Sequence, residues 1–154
     1  MMRILELKVP PPAVALLIGI AMWFVARYGV VLDLPFAIRL TVFLAIAGIG
    51  GAIALAGDLA FKRAKTTLNP FRPQNTTALV TSGIYRYTRN PMYLGMTLVL
   101  LGWTAFLCSA WALPGAIAFV LYLNRFQIAP EERILSAKFG AAYAEYMAKT
   151  GRWL

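Results

Sequence analysis

No histidine occurs anywhere in these 154 residues. That removes a His-ligated metal, a His general base and a Ser-His-Asp triad from consideration. One cysteine, Cys108, excludes an internal disulfide and a cysteine-cluster metal site. Charge is scarce, at 14% of residues, against about a quarter in an ordinary soluble domain. Acids are scarcest: 6 Asp+Glu stand beside 15 Lys+Arg, giving +9. Apolar residues fill the space, at 60% of the chain with a mean hydropathy of +0.68. A disordered chain is excluded and a soluble domain fits poorly. The length suits a single domain over residues 1–154.

A hydrocarbon core of about 30 Å takes roughly 20 apolar helical residues. Four stretches supply them, about 12–32, 37–61, 91–108 and 111–127. Ser109-Ala110 and Pro114 give the last two a place to turn, so they read as a tight hairpin. The start has the look of a signal peptide, but its apolar run is too long and lacks a small-x-small cleavage site. It reads as an uncleaved first span. The expected fold is therefore all-α and membrane-embedded, with four transmembrane helices.

Residues 62–90 hold six basic residues and no acidic one. Basic loops stay on the cytoplasmic side. Four spans then place both termini and residues 62–90 in the cytoplasm, in a multi-pass inner or cytoplasmic membrane protein. Trp23, Trp103 and Trp111 suit interfacial belts. The +9 charge follows this topology and attraction to anionic membrane lipids, so no nucleic-acid partner is expected. Gly48, Ala52 and Ala56 recur every four residues. Such a stripe lets helices approach closely, within a monomer or across a homodimer. Asp58 and Lys62 are one turn apart and should pair.

Residues 62–90 are too broken by Pro70, Pro73 and Gly83 for one long helix. Ordered loops of this length are often functional. Beyond the last span, Pro130-Glu131-Glu132 opens a helix expected over about 130–149. Leu135, Phe139, Tyr143 and Met147 repeat at spacing four. This predicts an amphipathic helix, either on the bilayer or folded back on the loop. The Glu pair is a good helix start or the edge of a polar pocket. Arg125 either snorkels to the interface or joins that pocket.

The run from Leu79 to Gly95, with Tyr85 and Arg89-Asn90-Pro91-Met92-Tyr93, resembles the core motif of integral-membrane isoprenylcysteine carboxyl methyltransferases. Phospholipid methyltransferases are related to these. Pro130-Glu131-Glu132, Phe139-Gly140, Tyr143 and Tyr146 resemble that family's C-terminal signature, in the same order and spacing. The resemblance implies S-adenosylmethionine as cofactor and methyl transfer to a lipid or other lipophilic acceptor at the cytoplasmic surface. It implies cofactor contacts at Thr77, Ala78, Leu79, Val80, Tyr85, Asn90, Pro91, Met92, Tyr93 and Glu131. Glu132 and Arg125 are the expected catalytic residues, Arg125 as a stand-in for the family's substrate arginine. The family's usual histidine before the proline is Asn90 here, and its substrate arginine aligns near Gln127. An NADPH-dependent membrane reductase of similar layout is the competing enzyme reading. A small four-helix transporter or helper is the non-enzyme reading, and the lack of an acid in mid-span counts against transport. No metal is expected.

Overall fold

The computed structural model describes residues 6–29, 31–64 and 78–154. Among them every regular element is helical, and one isolated antiparallel bridge joins Val31 to Ser109. Helices α1 (Pro11–Ala26), α2 (Phe36–Arg63), α3 (Pro91–Leu107) and α4 (Leu113–Leu123) make a bundle. A π turn over Asn124–Ile128 joins α4 to α5 (Ala129–Phe139), and α6 (Ala141–Lys149) follows. A 3₁₀ turn over Gly83–Arg86 precedes α3.

Two helices are long and apolar enough to cross a membrane: α2, with 28 residues, and the 30-residue rod Ala110–Phe139. The first and third expected spans are shorter helices of 16 and 17 residues. The first was expected to reach residue 32, yet it ends at Ala26. Gly29 lies so close to the Trp111 ring that a Cβ there would collide with it. The chain then turns away and Leu32 N–H donates to the Cys108 carbonyl at 2.9 Å. Cys108 itself closes α3 in a left-handed conformation, φ 51°.

The α2–α3 contact is the most extensive in the molecule. It uses a different small-residue face from the expected Gly48, Ala52, Ala56 stripe. Gly48 and Ala52 are exposed, whereas Gly50 and Gly57 are buried. A Cβ on Gly50 would sit 2.6 Å from the Gly95 carbonyl oxygen, and one on Gly57 2.9 Å from Pro91. Backbones meet there because neither side carries bulk. The outer face of α2, with Ile38, Leu44, Ile49 and Leu55, is left exposed. Apolar area of that extent is what hydrocarbon, not water, covers.

The expected helix over 130–149 is corrected in two ways. Its start is continuous with the fourth apolar helix, and its break falls at Gly140, φ 52° and ψ −123°. Few side chains tolerate those angles. Continuity through Pro130 depends on the π turn. Proline lacks the N–H that the carbonyl four residues back would receive. That carbonyl belongs to Phe126, and Leu7 N–H donates to it at 3.0 Å. Gln127 Nε2 donates to the Val9 carbonyl at 2.8 Å. The segment before α1 is thereby docked on the π turn.

Packing divides into two clusters. One lies inside the bundle, around Met22, Leu100, Ala116, Phe119 and Leu123. The other joins Val80 and Tyr85 to Tyr143 and Tyr146 of α6. So the C-terminal helices fold back on residues 78–90, one of the two arrangements the spacing allowed. Asp58 and Lys62 pair at 2.6 Å, as expected.

Candidate functional site

A cavity of about 210 Å³ lies between these two clusters. It opens where α1 begins, α2 ends, α3 begins and the π turn enters α5. Of the residues assigned to a site from sequence, Ala78, Leu79, Val80, Tyr85, Asn90, Pro91, Met92, Tyr93, Glu131 and Glu132 all line it. Thr77 lies outside the described residues. Arg125 is not among the lining residues. Its Nη1 is 2.7 Å from Glu6 Oε1, and Arg133 binds the other oxygen of Glu6 at 2.5 Å. The Arg125 hydrogen bond, aided by Arg133, holds the Glu6 carboxyl below its ordinary pKa.

Pro91 starts α3 at a position where the missing N–H costs nothing. This points Tyr93 across the cavity, and its hydroxyl donates to Glu131 Oε1 at 2.5 Å. The two adjacent glutamates differ sharply. Glu132 sits between Arg89 at 3.1 Å and Arg152 at 2.5 Å. Glu131 has no cationic partner among the described residues; its hydrogen bond comes from the neutral phenol. A carboxylate out of water and without a cation is costly. It suits a cationic ligand group.

Arg89 shows the complementary shortfall. Its Nη2 reaches Glu132, while its Nε and Nη1 are buried with no hydrogen-bond partner. Buried guanidinium donors left unbonded are unusual. The rest of the wall is apolar and aromatic. Tyr146 donates to the Tyr85 carbonyl at 2.8 Å. Burial pushes the Tyr143 phenol up to about 12 and keeps Tyr85 and Tyr146 higher still, so all three stay neutral.

Arg89, Pro11 and Pro12, not assigned to a site from sequence, also line the cavity. The position of Arg89 next to Asn90-Pro91 was the available signal. A second, wholly apolar groove of about 820 Å³ runs between α1, α2 and α3 past Leu16, Trp23 and Trp103. It shares Pro12 and Met96 with the first cavity.

A family model described as phospholipid methyltransferase matches residues 38–142. Protein-S-isoprenylcysteine O-methyltransferase A of Arabidopsis thaliana is 28% identical over 127 residues, covering 80% of this chain and 56% of that protein. The B protein of the same plant is 36% identical over 87 residues, covering 54% of this chain and 43% of that one. An uncharacterized protein of Haemophilus influenzae is 49% identical over 63 residues, 41% of this chain and 100% of that protein. The chain spans about half the length of the two plant relatives.

Proposed function

The chain belongs to the phospholipid methyltransferase family, and from that premise we propose that it transfers a methyl group from S-adenosylmethionine to a lipophilic acceptor at the cytoplasmic membrane surface. The family and the two long apolar helices make it a membrane protein. In this reading α1 and α3 also cross, with their flanking turns, so one domain over 1–154 has four spans. Both termini and the cavity face the cytoplasm. The gathering of the α1 start, the α2 end, the α3 start and the π turn at one cavity supports this arrangement, as do the six basic residues of 62–90.

The observation that carries the proposal is the pair of unmet charges on the cavity wall. Glu131 lacks a cation and Arg89 has two unbonded nitrogens. A free amino-acid end, ammonium on one side and carboxylate on the other, answers both. S-adenosylmethionine has such an end and, when bound, supplies an electrophilic methyl group on a sulfonium. The residues present fit it. Glu131 binds the ammonium, and Arg89 receives the carboxylate. Leu79, Val80, Tyr85 and Tyr93 form the wall for the adenine. Glu132 fixes Arg89 in place. Arg125 acts through Glu6, holding the segment that leads into Pro11 and Pro12 at the cavity edge. The apolar groove takes the acceptor's tail and brings its head past Met96.

Transfer of a methyl group is an in-line displacement, which rewards alignment above proton traffic. A site without histidine therefore loses nothing essential. Arg89 is the sole cation among the described lining residues.

Titration of detergent-purified protein with S-adenosylmethionine, S-adenosylhomocysteine and NADPH tests the reading. Saturable binding of the first two, and not the third, is the expected result. Binding of NADPH alone, or of none, would overturn it.

A further inference from the structure

Residues 150–154 do not line the cavity, yet they bond to three residues that do. Arg89 N–H donates to the Gly151 carbonyl at 3.0 Å. Asn90 Nδ2 donates to the Arg152 carbonyl at 2.9 Å. The Arg152 side chain turns the other way and grips Glu132 with two bonds, Nε to Oε1 at 3.1 Å and Nη2 to Oε2 at 2.5 Å. One residue thus holds the cavity wall through both its backbone and its side chain. The segment has anchors of its own. Thr150 N–H donates to the Tyr146 carbonyl at 3.0 Å, and Trp153 Nε1 to Asn124 Oδ1 at 3.1 Å. Gly151 lies so close to the Leu154 carbonyl that no Cβ fits.

We propose that Arg152 is a positioning residue and that residues 150–154 form a strap that sets the charged wall of the cavity before any ligand enters. A carboxylate has two oxygens to offer a guanidinium fork. Arg152 takes Oε2 outright and shares Oε1. Arg89 is left with Oε1 alone, through Nη2. Its Nε and Nη1 stay unbonded for that reason. Remove Arg152, and Glu132 draws Arg89 into a two-bond pair of its own. One of the two free Arg89 donors is thereby taken up, and Asn90 loses the ordered carbonyl it holds. The consequence for a ligand rests on the methyltransferase reading; the strap itself does not.

The test uses the full chain in detergent with Arg152→Gln and Arg152→Lys. The first arm needs no ligand. Hydrogen–deuterium exchange over residues 86–90 should quicken about tenfold in Arg152→Gln, with α2 and α3 unchanged. In the second arm the dissociation constant for S-adenosylhomocysteine should rise about tenfold. Arg152→Lys should recover part of both. Wild-type exchange over 86–90, or faster exchange throughout the bundle, would overturn the strap. Local opening with unchanged affinity would overturn its role toward the ligand. If the unaltered protein binds no S-adenosylhomocysteine, the methyltransferase reading falls and the exchange arm still decides the strap.

Discussion

The bundle and the cap above it are held together by opposite means. In the bundle, α2 and α3 meet through what they lack: glycine faces glycine, and backbone touches backbone. In the cap, residues 78–90, α5, α6 and the strap meet through what they carry. There, tyrosine hydroxyls, guanidiniums and carboxylates make the contacts. Steric fit fails when anything is added. A polar network fails when one member is removed. The cavity lies where the two regimes meet, its floor set by steric fit and its charged wall by the polar network.

Addition should therefore break the bundle most severely. Gly95→Leu puts a side chain where the Gly50 carbonyl and Ala54 already stand. The cost should be about 3 kcal/mol or more, read as lost folded yield and a lower melting temperature in detergent. Gly48→Leu is the control, since nothing lies within 4 Å of a Cβ there, and its melting temperature should match the parent.

Removal in the cap should instead cost binding and spare the fold. Glu131→Gln deletes the carboxylate that lacks a cation. S-adenosylmethionine affinity should fall by about 2 kcal/mol, while the melting temperature holds or rises. A drop in both would show that Glu131 is structural and blur the contrast. Tyr146→Phe removes one hydroxyl bond to the Tyr85 carbonyl. Stability should fall by about 1 kcal/mol, with bundle exchange rates unchanged.

The smallest effect concerns Glu6, which ties the N-terminal segment to Arg125 and Arg133. Its folded pKa is lowered, chiefly by the Arg125 hydrogen bond. Its contribution is present above the ordinary carboxylate pKa and is lost as pH falls through the lowered one. Acidification below the ordinary carboxylate range should lower the exchange protection of residues 7–9, read against the intrinsic rate at each pH. Arg125→Gln should speed that exchange already at neutral pH and weaken its pH dependence, with Arg133 keeping the remainder.

The two regions also differed in how legible they were. Hydropathy placed α2 and α3 within two residues of their ends, because an apolar run sets its own limits. It did not tell which face of α2 is buried. Gly50 was chosen over Gly48 by Gly95, a partner forty-five residues away. It also missed the early end of α1, which depends on Trp111. In the cap, motif order named ten residues that line the cavity. Arg125 and Arg152 could not be sorted in the same way. A guanidinium's partner is set by the three-dimensional path of the chain, and both found glutamates far away in sequence. The continuous rod through Pro130 was unreadable because a residue near the N-terminus satisfies it.

That repair has a consequence for how this sequence can drift. The carbonyl freed by Pro130 is satisfied by the backbone N–H of Leu7, and no side chain takes part. Every amino acid except proline carries that donor. Position 7 also sits at φ 57°, where glycine or asparagine is more at ease than leucine. Position 7 can therefore change its side chain around a bond that no comparison of side chains would reveal.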